Sequence, residues 1–229
     1  MTSSENAAIL FDIDGTLVDS TYHHAIAWQR AFDRNDLPFP LWRIHRTVGM
    51  GGDKLVAEVA GDDVEERLGD TLRDAWKDEY VQIKTEVFPL PGAADLVKKL
   101  AADGYLVALA SSGEPQFAEE ALDDLDIRDD VRVLKTSQDV DGSKPEPDLI
   151  EVTLEALGLG VQGTGRAVMI GDTPYDVQSA ERAGLRCIGL RSGGYSEAEL
   201  SEAGAVLVVD APEDLIDLDW QQYLGGGES

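Results

Sequence analysis

The chain has 229 residues, 43% of them hydrophobic, and a formal net charge of −26 from 45 acidic and 19 basic side chains. That length allows one substantial core with a smaller inserted unit, while the charge argues against nonspecific nucleic-acid binding, which depends on cationic contacts to phosphates. No run suits a membrane span, the first residues lack the basic and apolar regions of a secretory signal, and the single Cys187 excludes an internal disulfide, so a cytoplasmic protein is expected.

The acidic residues are spread along the chain, and the apolar content is ordinary, which favours a folded protein over disorder. A surface adapted to concentrated salt, as in a halophilic cytoplasm, is the expectation, because screening weakens the self-repulsion.

Ala8 to Phe11 is a continuous apolar run, the pattern of a strand buried on both faces. It ends in Asp12 and Asp14, followed by Gly15, and so places a carboxylate pair at a strand's carboxyl end, where open α/β sheets put their ligands. Two close carboxylates call for a compensating cation; a hard divalent ion such as Mg²⁺ takes carboxylate and carbonyl oxygens, and phosphoryl chemistry follows. A calcium-type loop or an Asp-rich turn is the other reading of D-x-D-G.

From Tyr22 to about Ile83 the pattern is helical, with breaks at Pro38, Pro40 and Gly49, Gly51 and Gly52, and with Leu72, Ala75, Trp76 and Tyr80 at helical spacing. The reading is an inserted helical domain over residues 21–86, with a return hinge at Phe88 to Gly92. Trp28, Trp42 and Trp76 are expected in its core, and Trp220 is expected to anchor the C-terminal tail, with residues 224–229 frayed.

Beyond residue 92, expected strands at 105–110, 131–134, 167–170, 186–190 and 206–209 alternate with expected helices at 93–102, 115–125, 147–157, 175–183 and 197–203. The fold class is therefore α/β, a doubly wound parallel sheet built from residues 1–20 and 87–229.

Three more strand ends carry suitable groups. Ser111 and Ser112 follow the second strand, where a hydroxyl and backbone N–H groups can bind a phosphate oxygen, or cap the helix that begins at Pro115. Lys144, in SKPEPD, lies beyond the third strand, and a solvated lysine is its bland alternative. Asp172 ends the fourth strand and Asp176 follows on the first helical turn; Asp172 also reads as an N-cap residue, with Pro174 near the helix start.

These four motifs, DIDGT, the serine after VALA, the lysine of SKPEPD, and GDTPYD, together resemble the phosphatase side of the haloacid dehalogenase superfamily over nearly the whole chain. The helical insertion resembles that family's small cap. The resemblance implies that Asp12 attacks phosphorus to form an aspartyl-phosphate and that Asp14 protonates the leaving alcohol and then activates water. It implies Mg²⁺ held by Asp12, the backbone carbonyl of Asp14, and Asp172, with Asp176 and Thr16 in support. Ser111, Ser112 and Lys144 would grip the phosphoryl oxygens.

Asp14 argues against a true dehalogenase, which has no alcohol leaving group to protonate. TYHHAIAW resembles the β-phosphoglucomutase cap, making a phosphomutase the alternative, but Gly171 and Gly52 stand where that mutase has an acidic residue and an arginine. GDTPYDVQSAERAG resembles the phosphoglycolate phosphatase group, so hydrolysis of a small phosphorylated metabolite is the expectation. Candidate cap residues are His24, Arg46, Gly49 and Lys54, with His45 beside them, each also readable as packing or as a solvated charge. A non-catalytic phosphate-binding module is a further alternative, and oligomeric state is not legible.

Overall fold

The computed structural model describes residues 7–160 and 165–224. Six parallel strands, β1 (Ala8–Phe11), β2 (Leu106–Ala110), β3 (Val133–Lys135), β4 (Ala167–Gly171), β5 (Arg186–Leu190) and β6 (Leu207–Val209), form one sheet in the order β3-β2-β1-β4-β5-β6. β1 lies between β2 and β4 with Phe11 level with Leu109 and Ile170. The sheet order reverses across β1, and its carboxyl end is therefore the crevice where such folds bind ligands.

The three central strands are apolar at every position because both faces are covered. On one face Ile9, Phe11, Leu109 and Ile170 pack with Leu96, Leu100 and Leu122 of helices α5 (Ala93–Ala102) and α6 (Pro115–Asp124). On the other, Leu10 and Met169 pack with Ile150 of α7 (Asp148–Ala156), Val177 of α8 (Pro174–Arg182) and Leu200 of α9 (Glu197–Glu202). Full burial of one such side chain stabilises by about 1.5–3 kcal/mol. Cys187 is part of this second layer and is buried.

Four helices intervene between β1 and α5: α1 (Thr21–Arg34), α2 (Leu41–His45), α3 (Gly52–Ala60) and α4 (Asp62–Ile83). They enclose a separate apolar cluster of Ala25, Trp28, Phe32, Ile44, Leu55, Leu72 and Trp76. Aromatic stacking joins α1 to α4 through Trp28 and Trp76, whose ring centroids are 5.5 Å apart.

Several sequence expectations require correction. The third strand runs over 133–135, not 131–134, and the sixth begins at Leu207. Trp42 was expected in the cap core but is 70% exposed, because α2 is only five residues long and turns Ile44 inward instead. α4 extends ten residues before Leu72, as far back as Asp62, in an acidic first turn suited to a helix N-terminus. Trp220 is buried in the first core layer as expected; of the expected frayed tail, residues 225–229 lie outside the described residues. Among the described residues no helix is long and apolar enough to cross a membrane.

Candidate active site

Strand register brings the motifs together. Asp12 N–H donates to Ile170 O at 2.9 Å, continuing the β1–β4 ladder by one residue and setting Asp12 beside the end of β4. Asp12, Asp172 and Asp176 each offer a carboxylate oxygen within 4.8 Å of the others, all three buried. Lys144 is also buried, with Nζ 2.5 Å from Asp12 Oδ1 and 2.8 Å from Asp176 Oδ1. The latter contact lacks hydrogen-bond alignment, leaving Asp176 Oδ1 without a hydrogen-bond partner.

Three buried carboxylates against one ammonium leave two negative charges uncompensated, and the titration behaviour follows. Burial, with the charges of Asp176 and Asp14, pushes Asp12 up to about 7 against the opposing pull of Lys144. Burial, Asp176 and Asp12 likewise raise Asp172 well above the usual carboxylate range. Burial works against the Lys144 charge, but Asp12 and Asp176 outweigh it and hold the ammonium protonated. A divalent cation fits this donor set in charge, in oxygen chemistry and in the orphaned Asp176 oxygen.

The turn after β1 supports the cluster. Gly15 has φ +75°, and a Cβ there would strike both Asp172 and Thr21, so only glycine lets the chain pass so close. Thr16 Oγ1 donates to Asp172 Oδ1 at 3.2 Å, and Thr21 Oγ1 donates to Oδ2 at 3.4 Å. Asp176 also closes a helix cap, accepting from the Thr173 amide at 3.0 Å and hydroxyl at 2.6 Å. The cap expected at Asp172 is instead Thr173, boxed with Asp176, because Asp172 is turned toward Thr16 and Thr21.

Asp14 faces elsewhere. Its Oδ1 accepts from Ser20 Oγ at 2.6 Å and lies 2.8 Å from His24 Nε2, whose ring stacks on Tyr80 at 4.1 Å. Burial raises Asp14, but the charge and hydrogen bond of His24 with the Ser20 bond prevail and hold it below its ordinary value. The carboxylates nearest one another are thus 12, 172 and 176, whereas the sequence reading gave Asp176 only a supporting place. The side chain of Asp14 is bound into α1.

A cavity of about 350 Å³ opens on these groups, lined by Asp12, Asp14 and Ser112 at one end and by Trp28, Gly49 and Trp76 from the helical insertion. Ser112 Oγ is buried without a partner. Ser111 Oγ accepts from the Gly113 amide at 3.0 Å, so of the two serines Ser112 has the hydroxyl without a protein partner.

Two expected cap residues do not reach this cavity. Arg46 pairs with Glu199 and stands 4.2 Å over the Tyr195 ring, while its carbonyl accepts from Tyr175 and Tyr195. Lys54 donates to Ser143 O at 2.7 Å and lies 3.3 Å from Glu146. Both are drawn to the acidic core surface, where a cation finds partners, and so join insertion to core. His45 does the same through Gly193 O at 2.9 Å. Sequence reasoning passed over Met50, Arg73 and Ser143 as lining residues; Trp28 and Trp76 carried a signal, aromatics on helix faces, and were assigned to packing.

This constellation, acidic side chains from two strand ends and a buried lysine beneath a helical insertion, defines a phosphoryl-transfer type of site. The family model for Haloacid dehalogenase-like hydrolase matches residues 9–190, and the chain belongs to that family. It is 29% identical over 92% of its length to validoxylamine A 7'-phosphate phosphatase of Streptomyces hygroscopicus subsp. limoneus, covering 95% of that protein. It is 32% identical to phosphoglycolate phosphatase of Yersinia pseudotuberculosis, over 83% of each chain. A solved hydrolase from Pseudomonas syringae superposes with a TM-score of 0.86 at 31% identity, over 92% of this chain and 96% of that one. A putative β-phosphoglucomutase from Bacteroides vulgatus shares the fold, with a TM-score of 0.83 at 22% identity over 97% and 91%.

Proposed function

We propose that the protein is a Mg²⁺-dependent phosphatase of small phosphorylated metabolites, with Asp12 as nucleophile and Asp14 as general acid and base. The observation that carries this reading is the division of labour between the two aspartates: Asp12 lies in the carboxylate–lysine cluster, while Asp14 is held apart by Ser20 and His24. One carboxylate is placed to attack phosphorus. The other is placed to exchange a proton with the leaving oxygen.

Asp12, Asp172 and Asp176 with the Asp14 carbonyl are the groups that would hold the metal, which supplies charge for the phosphoryl oxygens. Lys144 pulls the attacking carboxylate toward its ionised form and neutralises charge on the transferring group. Ser112 offers a free hydroxyl donor at the same end of the cavity. After transfer, the oxygen of Asp14 takes a proton from water, which attacks phosphorus and releases Asp12. The four-helix insertion, residues 21–86, serves as a cap that screens this chemistry from solvent. A cytoplasmic enzyme working in concentrated salt is consistent with the composition.

The test is hydrolysis of p-nitrophenyl phosphate with and without Mg²⁺. Turnover that needs the metal and vanishes in Asp12→Asn is expected; metal-independent turnover, or activity surviving in Asp12→Asn, overturns the assignment.

A further inference from the structure

The cavity that Asp12 and Asp14 line together has to accept whatever alcohol the phosphate leaves; a second cavity reaches Asp14 and Ser111 but not Asp12. Among the described residues lining the first, Arg73 is the only lysine or arginine. Its guanidinium is already committed: NH1 donates to Glu65 Oε1 at 2.8 Å and Oε2 at 3.0 Å, and NH2 donates to Asp70 at 2.9 Å. The remaining charged residues at that end are Asp53, Glu114 and Asp141. Glu114 pairs with Lys77 at 2.7 Å, whereas Asp53 sits in the first turn of α3, where it offsets the attraction its amides would have for an anion. A carboxylate entering here meets like charge and no available cation.

A neutral hydroxyl meets a better match. Trp76 is nine-tenths buried and lines the cavity, and its Nε1, itself buried, has no hydrogen-bond partner among the described residues. An indole N–H is a donor only, so an acceptor oxygen that reaches it from the cavity satisfies it. The carboxylates nearby accept hydroxyl hydrogens, and Trp28, Met50 and Leu55 offer apolar surface to C–H groups. Volume points the same way. With a water occupying about 30 Å³, a two-carbon acid would leave most of the space of about 350 Å³ to solvent.

We propose that the leaving group is a neutral polyhydroxylated ring, a sugar or cyclitol, held by the Trp76 N–H and the acidic wall, and that short carboxylated phosphoesters such as phosphoglycolate are disfavoured. This rests on the phosphatase reading above. Selectivity arises from repulsion of an anionic leaving group as much as from attraction of a neutral one.

The experiment compares glucose 6-phosphate with 2-phosphoglycolate, both as kcat/KM with Mg²⁺ and as binding to Asp12→Asn by calorimetry. A preference for the hexose phosphate of about tenfold or more supports the proposal, as does a Trp76→Phe variant that loses the hexose phosphate selectively. Asp53→Asn should improve phosphoglycolate relative to the hexose phosphate. Equal or better use of phosphoglycolate, equal losses on both substrates in Trp76→Phe, or binding of neither overturns it. If the wild-type enzyme hydrolyses neither ester nor p-nitrophenyl phosphate while Asp12→Asn still binds the hexose phosphate preferentially, the phosphatase reading falls and the selectivity stands.

Discussion

His24 Nε2 lies 2.8 Å from Asp14 Oδ1, so the first helix of the insertion directly holds the second carboxylate of the DIDGT loop. The ring packs against Tyr80 and Trp76, which themselves stack on each other, and this cluster fixes where Asp14 points. Phe in place of His24 keeps the stacking and removes the nitrogen. Removing a contact that lowers Asp14 lets burial raise it, so its limb of the pH–rate profile moves to higher pH. His24→Phe is expected to lower kcat by about 10–100-fold, part of the usual worth of general acid–base catalysis. An unchanged profile would sever the link between α1 and the acid.

Lys144→Met removes the only cationic side chain that contacts the Asp12 and Asp176 pair among the described residues. Breaking a buried ion pair at one partner costs about 3–5 kcal/mol. Urea unfolding should show that loss in metal-free protein, with activity gone. Added Mg²⁺ should restore part of the stability but not the turnover.

Metal binding is itself measurable as stability. Ligand at about 100 times its Kd adds about 2.7 kcal/mol, so Tm should climb with Mg²⁺ and stay flat in Asp172→Asn. In metal-free protein Asp12 is raised from 3.8 to about 7, and the folded state therefore binds a proton that the unfolded chain has released. Its contribution to stability falls as pH rises through that window. Asp12→Asn should show a shallower decline over the same range.

Glu199 is held down to about 2, first by the Ser196 amide and hydroxyl and then by Arg46. A depressed carboxylate stabilises above its unfolded value of 4.5 and loses that stabilisation as pH falls toward about 2. Glu199→Ala removes the N3 half of the α9 capping box and the link to Arg46, while Ser196 keeps its bond from the residue-199 amide. At neutral pH it should cost about 0.2–1 kcal/mol, the range of an exposed ion pair. The difference from wild type should close between pH 4.5 and about 2.

With a net charge of −26, self-repulsion is large in dilute buffer. Raising KCl from about 0.01 to about 1 M shortens the Debye length from about 30 to about 3 Å. Tm should rise over that range. A constant or falling Tm would show that the acidic surface is not matched to salt.

Strands β1, β2 and β4 were legible because burial on both faces writes itself as an unbroken apolar run, and each of them is followed by a polar residue, Asp12, Ser111 or Asp172. The short edge strands β3 and β6 carry only half-buried residues, so their limits slipped by one or two positions. Trp42 was misplaced because five residues of helix are too few to display a period. Arg46 and Lys54 read from the sequence either as candidate cap residues or as solvated charges, and only in three dimensions do Glu199, Glu146 and the Ser143 carbonyl claim them.

By itself the order of residues determined the parallel sheet, the helical insertion and the set Asp12, Asp14, Lys144 and Asp172, since hydrophobic runs and turn residues act over a few neighbours. Only the tertiary structure decided that Asp12 shares a cation's space with Asp172 and Asp176, that Lys144 pairs with Asp12, and that Glu199 claims Arg46. Those outcomes depend on distances between side chains far apart in the chain. Charge and hydrogen bonding act through space, and local pattern does not encode who arrives there first.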